Sequence, residues 1–467
     1  MGSLIELVDH GSKTEDAIFL ANGDLPRDRH QLLASLGRQF VRANRGAMAD
    51  FGVSCETDFS GRDVSLRFHA GSVVGALPLL SPTSGRPDLG LVIQPRFSWA
   101  GIGSVLGVTG WKVVPQLLGL PLLPKSERKV PLWVLSLTLL PRLEALLRRL
   151  DRKFASCEED LRAPKGQVRW TEYAERRVGA FRFLDVPCRF PLLKDDGELK
   201  AAIHHVLLTH RGSLQSQMTG GPVVSQLLDY CESLIRQVRD HSPRRPSGLF
   251  FNRWSRIPLQ SEVFRQGLQA MEWSVEQRGL AGLGELEGIP WRMAMEDFFE
   301  SWLETLCSRV APLLGGVLKR GRLGETVAAF SWEPAFSGTQ RSLVPDLVIE
   351  REDRVIVVDA KYKRHWEELE RKSWHALGEE TKEAHRHDLL QVLAYSTLFS
   401  GKMIEVCLIY PCRIETWQSL RNRGRLSHEA TVGQGERQIR LILTAVPMAG
   451  DVEEIVSHLR LLFSKEP

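Results

Sequence analysis

Two short apolar runs, Leu343–Glu350 and Val355–Val358, are separated by the charged turn Arg351–Asp353. This alternation of apolar and polar segments predicts two β-strands that fold back on each other as a hairpin. Asp346 lies in the first strand, and the hairpin would bring it level with the end of the second. The uninterrupted apolar composition of the second run is typical of a strand in a protein core.

A carboxylate and an ammonium, those of Asp359 and Lys361, follow the second apolar run. Side chains alternate between the two faces of a strand, so these two point to the same side while Ala360 points to the other. Charged groups at the end of a core strand are costly unless they are paired or bound to a metal ion. A buried hairpin with incidentally charged ends is the alternative interpretation, but this position favours a chemical role.

Two aspartates and a lysine are the groups that a metal-dependent phosphodiester hydrolase needs. The reaction places a water molecule in line with phosphorus and stabilises charge on the phosphate oxygens and the leaving alkoxide. Mg²⁺, with Mn²⁺ as a substitute, binds one or two carboxylates together with phosphate and water, so Asp346 and Asp359 are candidate metal ligands. The Lys361 ammonium is a candidate for stabilising the pentavalent phosphate or orienting the attacking water.

Two predicted helices flank the hairpin. Trp291–Leu306 has apolar residues at helical spacing and carries Glu296 and Glu300 on one side. Glu300 is a candidate metal ligand, either directly or through metal-bound water, while a solvated helix face is the alternative for both glutamates. The downstream helix is predicted at Glu379–Ser400, and one stripe of it carries Asp388, Gln391 and Tyr395. The elements predicted after it are strands at Met403–Tyr410 and Arg437–Val446 and a helix at Asp451–Phe463.

Taken in order, these elements resemble the PD-(D/E)xK nuclease superfamily and, within it, the McrC family of nuclease subunits of McrBC modification-dependent restriction systems. The motifs that carry the resemblance, between about Ile289 and Phe463, are Phe299-Glu300, Pro345-Asp346, Asp359-Ala360-Lys361-Tyr362-Lys363 and Asp388-x-x-Gln391-x-x-x-Tyr395. The resemblance implies a restriction-endonuclease-like α/β/α core with Asp346, Asp359 and Lys361 as the catalytic set. It also implies that Glu300, Gln391 and Tyr395 assist the metal site or position the backbone phosphate.

The front half of the chain resembles the same family more weakly. Leu91–Arg96 and Gly101–Leu106 are similar to an apolar-Pro-Lys segment and the helix after it, with Arg96 where Lys is usual. Gly166–Trp170 resembles a Gly-x-Ile-x-Trp element of the middle region. Phe190–Lys200 is expected to open a helix as that region does, although an Asn common there is absent.

The chain is predicted to be an α/β multidomain protein, because 467 residues leave room for two or three domains. We predict a β-rich amino-terminal module over 1–115, a mainly helical middle region over 116–286 and the nuclease domain over 287–467. The glycine-rich segment Gly279–Gly288 is the candidate boundary before the last domain. The elements predicted in the first module are strands Val64–Phe68 and Leu89–Ile93 and a helix near His30–Asn44.

Amino-acid composition argues against several classes of protein. Seven cysteines without Cys-x-x-Cys spacing argue against a disulfide framework or a zinc ribbon, and they fit a reducing cytoplasm. No apolar run reaches the length of about 18 residues that a membrane span requires. We therefore expect a cytoplasmic protein without a membrane segment. The net charge of +4 permits nucleic-acid binding without requiring it.

A basic and aromatic stretch is the candidate DNA-contacting surface outside the nuclease motifs. Arginines there would contact phosphates, and aromatic rings would stack on bases. A loop whose aromatic residues dock on a domain interface is the alternative. The residues of the stretch are Arg244, Arg245, Arg253 and Arg256, interleaved with Phe250, Phe251 and Trp254.

The sequence contains no Gly-x-x-x-x-Gly-Lys-Ser/Thr motif, so we expect no nucleotide hydrolysis by this chain alone. The resemblance implies an AAA+ motor partner, a GTPase or ATPase related to McrB, on which the amino-terminal module would dock. The motor would translocate DNA and this chain would cut it. The alternatives are a non-cleaving DNA-binding or motor-activating subunit, and a stand-alone repair nuclease of the same superfamily.

Overall fold

The computed structural model describes residues 3–21, 29–59, 63–123, 131–150, 153–194, 196–256, 261–276, 288–334, 336, 338–363, 366, 378–399, 403–433, 438–449 and 451–465. Their contacts divide the chain into two units. The first contains Met1–Val134, Met218–Gln226 and Gly279–Pro467, and the second contains Leu135–Gln217 and Leu227–Arg278. The predicted three-part division differs from this grouping, because the amino-terminal module and the carboxyl-terminal region lie in one unit.

Each part of the described chain contains both strands and helices. The first part contains β1 (Ser3–Val8), β2 (Ser12–Asp16), α1 (Arg29–Asp50), β3 (Val53–Asp58), β4 (Ser65–Ala70), β5 (Val73–Leu79), β6 (Leu89–Gln94), α2 (Trp99–Thr109) and β7 (Gln116–Leu117). The middle part contains α3 (Leu132–Arg149), β8 (Lys153–Leu161), β9 (Gln167–Val168), α4 (Trp170–Glu172), β10 (Val186–Lys194), α5 (Gly197–Gln215), α6 (Pro222–Val238), α7 (Gly248–Ser255) and α8 (Glu262–Val275). The last part contains β11 (Trp291–Ala294), α9 (Met295–Leu313), β12 (Val317–Arg320), β13 (Ala328–Ala329), β14 (Ser342–Leu343), β15 (Leu347–Glu350), β16 (Arg354–Ala360), α10 (Glu379–Ser396), β17 (Met403–Cys412), α11 (Ile414–Asn422), β18 (Ser427–Val432), β19 (Ile439–Pro447) and α12 (Val452–Ser464).

The amino-terminal sheet has the strand order β1-β6-β5-β11-β7, so it includes a strand from the carboxyl-terminal region. The predicted helix at Trp291–Leu306 is therefore wrong in its first turn, which is strand β11. Trp291 and Met293 are buried there while Arg292 is exposed, which is the period of a strand. Gly75 permits the pairing, because a Cβ at this position would lie 2.1 Å from the Trp291 carbonyl oxygen.

The middle region contains a sheet as well as helices. Strands β8, β10 and β9 pair antiparallel, whereas this region was predicted to be mainly helical. The expectation that Phe190–Lys200 opens a helix is wrong at its start, because β10 continues to Lys194 and α5 begins at Gly197. Cys188 and Phe190 are buried on either side of the exposed Arg189, and this alternation is that of a strand.

The carboxyl-terminal sheet has the order β12-β15-β16-β17-β19-β18. Strands β16, β17 and β19 are parallel neighbours, while β15 pairs antiparallel with β16. Nearly every residue of β16 is buried, so both faces of the sheet are covered at this strand. Helices α9 and α10 both pack against it, and α12 packs against α9. Cys407 and Cys412 are buried within β17.

None of the helices in the described ranges is long and apolar enough to cross a membrane.

A buried histidine joins three helices of the second unit and makes its stability depend on pH. His210 Nδ1 lies 2.9 Å from Ser136 Oγ, and its Nε2 lies 2.9 Å from Ser274 Oγ. Burial lowers the pKa of His210 from 6.5 to about 4. Between these pH values the unfolded chain binds a proton that the folded chain does not, so stability is lost as pH falls through this window.

We expect the shift at His210 to contribute about 3 kcal/mol to the difference in unfolding free energy between neutral and acidic pH. The measurement is urea unfolding at about pH 7 and about pH 4.5, compared between the wild type and His210→Gln. The variant should be less stable at neutral pH and should lose less stability on acidification. An identical loss in both proteins would contradict the assignment.

Candidate functional site

The predicted hairpin is confirmed, and it brings two aspartates together. Strands β15 and β16 pair antiparallel as far as Leu347 opposite Val358, and Asp346 and Asp359 lie just beyond this last pair. The Ala360 amide donates a hydrogen bond to Asp346 Oδ2 at 2.8 Å. This bond fixes the Asp346 side chain against the end of β16.

The Asp359 carboxylate is completely buried at the end of β16. The Lys361 Nζ atom lies 2.8 Å from its Oδ2, so the two charged groups share one side of the chain as predicted. Within the described residues, neither oxygen of Asp359 accepts a hydrogen bond of good geometry. A fully buried carboxylate with one ammonium as its charged partner is costly unless another group also binds there.

The carboxylates at this site repel one another. Burial and the charge of Asp346 raise the pKa of the Asp359 carboxyl well above its usual range, against the opposing charge of Lys361. Burial and the charge of Glu300 raise the pKa of Asp346, although the Ala360 amide counteracts them. Burial disfavours the Lys361 ammonium, but the adjacent Asp359 outweighs this effect and raises the pKa of Lys361. A divalent cation would relieve this repulsion.

Helix α9 contributes Glu300 to the same site. Glu300 is half-buried, and burial together with the charge of Asp297 raises its pKa, with a further contribution from Asp359. Glu296 lies one helical turn earlier and is exposed, so the solvated-face interpretation applies to this residue. Phe299 is fully buried in the core beside them.

Helix α10 contributes the predicted glutamine and tyrosine. Gln391 Nε2 donates a hydrogen bond to Tyr395 Oη at 2.7 Å. Burial raises the pKa of Tyr395, and the charges of Asp359 and Asp346 add to the shift. The structure therefore brings this pair into the electrostatic environment of the two aspartates.

A second charged pair lies beside the first and was not named among the predicted site residues. Lys363 Nζ contacts Asp388 Oδ1 at 2.5 Å, and Asp388 is almost fully buried. Tyr410 Oη, on β17, donates to Asp388 Oδ2 at 3.2 Å. Lys363 and Asp388 both belong to the motifs quoted in the sequence analysis. Their presence in those motifs is the sequence signal that could have identified them as site residues.

The basic and aromatic stretch is only partly suited to nucleic acid. Phe250 and Trp254 are buried, with their ring centroids 6.1 Å apart, and Trp254 also packs 5.9 Å from Phe264 of α8. These two rings are used in packing within the second unit and are not available to stack on bases. Arg253 forms an ion pair with Glu198. The four predicted arginines, Arg244, Arg245, Arg253 and Arg256, are all exposed.

The described residues contain no group of three or more His, Cys, Asp or Glu side chains arranged to hold a metal ion. The donors at the site nevertheless suit Mg²⁺, which takes one or two protein carboxylates and completes its octahedron with water and phosphate. Glu405, a second buried carboxylate in the same sheet, differs in its partners. Its Oε1 atom lies 3.0 Å from Arg354 Nη1 and 3.3 Å from Arg440 Nη1. Asp359 has no guanidinium partner of this kind among the described residues.

Sheet and site together define an α/β protein with a buried carboxylate cluster at the end of a core strand. Residues 286–411 match the family described as the McrBC 5-methylcytosine restriction system component. The matched segment contains Glu300, Asp346, Asp359, Lys361 and Tyr395, and over these residues the predicted resemblance to McrBC-type restriction systems is confirmed. No curated protein matches the sequence significantly.

Two of the solved structures similar to the chain come from Thermococcus gammatolerans. One is a refined half-complex from a tetradecameric assembly of McrB AAA+ hexamers with bound McrC. It is 14% identical, covers 98% of this chain and 100% of that chain, and has a TM-score of 0.43. The other is a cryo-EM structure of the McrBC complex, 14% identical, covering 66% of this chain and 88% of that chain with a TM-score of 0.27.

Proposed function

We propose that the chain is the Mg²⁺-dependent DNA endonuclease subunit of a motor-driven, McrBC-like restriction system. The observation that carries the proposal is the Asp359 carboxylate, which is fully buried and lies 2.8 Å from the Lys361 ammonium. Its place within a segment that matches a restriction-system family supports the same reading. The carboxyl-terminal sheet with its covering helices is, in this proposal, a restriction-endonuclease-like core.

The carboxylates of Asp346 and Asp359 would hold the metal, and Glu300 would contribute either as a further ligand or through metal-bound water. The bound ion would supply Lewis-acid stabilisation of the phosphate and an activated water. Lys361 would place its charge on the developing pentavalent phosphate. The hydroxyl of Tyr395, held by Gln391, would position a backbone phosphate of the DNA beside the carboxylates.

The expected partner is an AAA+ motor related to McrB that hydrolyses GTP or ATP. The absence of a phosphate-binding loop motif from this sequence supports a division of labour in which another chain hydrolyses nucleotide. The motor would translocate DNA, and this subunit would cut it.

The test is cleavage of plasmid and phage DNA in Mg²⁺, with and without the motor protein and with each nucleotide in turn. Cleavage that requires both chains and a nucleotide would support the proposal. Cleavage by this chain alone would favour a stand-alone repair nuclease. Stimulation of the motor without any cleavage would favour a non-cleaving activating subunit.

Removal of the divalent metal is expected to abolish cleavage while leaving the fold intact. Catalysis depends on the ion, but the strands that carry the carboxylates are hydrogen-bonded without it. The measurement is cleavage in EDTA and after restoration with Mg²⁺ or Mn²⁺, with unfolding followed in the same samples. Cleavage that persists in EDTA would contradict the metal assignment.

A further inference from the structure

An amino-terminal contact holds the segment that follows the candidate catalytic strand. Asp9 stands directly after β1, and Arg96 follows β6 closely. Strands β1 and β6 are parallel neighbours, so their carboxyl ends meet at one edge of the amino-terminal sheet. Tyr362 and Lys363, which follow Lys361, reach this edge. We call these four residues, Asp9, Arg96, Tyr362 and Lys363, the clamp.

The centre of the clamp is the carboxylate of Asp9, which is almost fully buried. Tyr362 Oη donates a hydrogen bond to Asp9 Oδ2 at 2.6 Å. The backbone amide of Arg96 donates to the other oxygen, Oδ1. One carboxylate therefore ties a strand end of the amino-terminal sheet to the residue next to Lys361.

Arg96 makes the second connection. Its guanidinium carbon lies 4.5 Å from the centroid of the Tyr362 ring and 4.9 Å from that of Phe97. Its Nη2 atom donates to the Lys363 carbonyl oxygen at 3.1 Å. A planar cation can stack on a ring and donate in its own plane at the same time, so Arg96 fixes both residues that follow Lys361.

One buried polar atom of the clamp is left unsatisfied by the described residues. The Arg96 side chain is only 10% exposed, and its Nη1 atom has no hydrogen-bond acceptor among the described residues. A buried donor without an acceptor costs free energy, and apolar residues of similar volume often replace buried ion pairs without loss of stability. The unsatisfied donor therefore contributes an unfavourable term to the stability of the clamp.

The geometry points to a positioning role, and we propose that Asp9 and Arg96 are positioning residues for the nuclease site. The Lys361 amide donates to the Ile409 carbonyl at 3.0 Å, which anchors that residue to the sheet on one side. Asp9 and Arg96 anchor the two residues that follow Lys361, and the ammonium of one of them, Lys363, pairs with Asp388. The amino-terminal sheet is then a part of the cutting site, in addition to any docking role. This inference rests on the proposed function.

The first test replaces Arg96 with methionine, which keeps the volume and removes the charge and the hydrogen bonds. We expect kcat for Mg²⁺-dependent cleavage with the motor to fall about 10- to 100-fold, because a displacement of about 1 Å can cost a factor of this size. KM for DNA should stay within about twofold and the unfolding temperature should be equal or higher. Arg96→Lys keeps the charge but loses the planar group, so it should recover only part of the activity. The matched control is Arg67→Met, which removes an exposed arginine paired with Asp58 in the same module and should change none of these values.

The second test does not depend on cleavage. Hydrogen exchange of the Lys361 amide should accelerate about tenfold or more in Arg96→Met and in Tyr362→Phe, at an unchanged unfolding temperature. Wild-type exchange together with wild-type kcat in both variants would overturn the proposal. So would a parallel fall of kcat and unfolding temperature that Arg96→Lys does not rescue. If the wild-type protein does not cleave DNA, the nuclease proposal fails, while the exchange result still decides whether the clamp positions this segment.

Discussion

Replacing Asp359 with alanine is expected to lower the rate of DNA cleavage by about 10³-fold or more. The residue is the most deeply buried of the three candidate metal ligands, and it also contacts Lys361. Its loss removes a metal ligand and also the charged partner of the Lys361 ammonium. A bound metal ion contributes several kcal/mol to stabilising the transition state of such reactions. The measurement is single-turnover cleavage in Mg²⁺ with the motor and its nucleotide present.

The same substitution should leave the fold and the motor contact intact. The carboxylate is destabilised by burial and by Asp346, so its removal is expected to leave the free energy of unfolding unchanged or higher. Binding to the motor and stimulation of its nucleotide hydrolysis should persist. Asp353→Ala is the matched control, because it removes an exposed carboxylate from the turn of the same hairpin. Full cleavage by Asp359→Ala would refute the nuclease assignment.

The parts of the site that were predictable are those close together in sequence. Alternation of side chains places Asp359 and Lys361 on one side, and a short charged turn brings Asp346 opposite. The helical spacing likewise places Gln391 and Tyr395 on one stripe, where the structure shows a hydrogen bond between them. In each case the geometry follows from the period of a single element or from one tight turn.

The prediction from sequence missed segments that are strands because they pair with strands far away in the sequence. Trp291–Ala294 directly precedes a helix and contains no residue that breaks one, so the sequence did not mark where the helix begins. Its pairing with β5, which Gly75 permits, decides in favour of a strand. The segment ending at Lys194 is a strand for the same kind of reason, because it pairs with β8 and β9.

The clamp could not have been predicted from one sequence at all. Asp9 and Tyr362 are 353 positions apart, and no periodicity connects them. The family resemblance marked Arg96 as a notable position, but it did not indicate which residues Arg96 contacts. The sequence predicted a docking module separate from a cutting domain. The hydrogen bonds of Asp9 and Arg96 to Tyr362 and Lys363 instead connect the amino-terminal sheet to the residues that follow Lys361.

Replacing Lys361 with methionine is expected to separate metal binding from catalysis, which removal of Asp359 cannot do. Cleavage should fall about 10²- to 10³-fold, the usual effect of losing one group that stabilises charge in a transition state. Metal affinity should be equal or higher, because the ammonium 2.8 Å from Asp359 Oδ2 no longer competes with the divalent ion for that carboxylate.

The measurement for this variant pairs Mn²⁺ titration with single-turnover cleavage, and both are repeated for Asp359→Ala and for Lys363→Met. The Lys363 variant is informative because it removes an ammonium that neutralises Asp388 rather than Asp359. Weaker metal binding in Lys361→Met would mean that the lysine organises the carboxylates and does not act on the phosphate. Unchanged cleavage would remove it from the catalytic set, and the function of the strand end would then rest on its two aspartates alone.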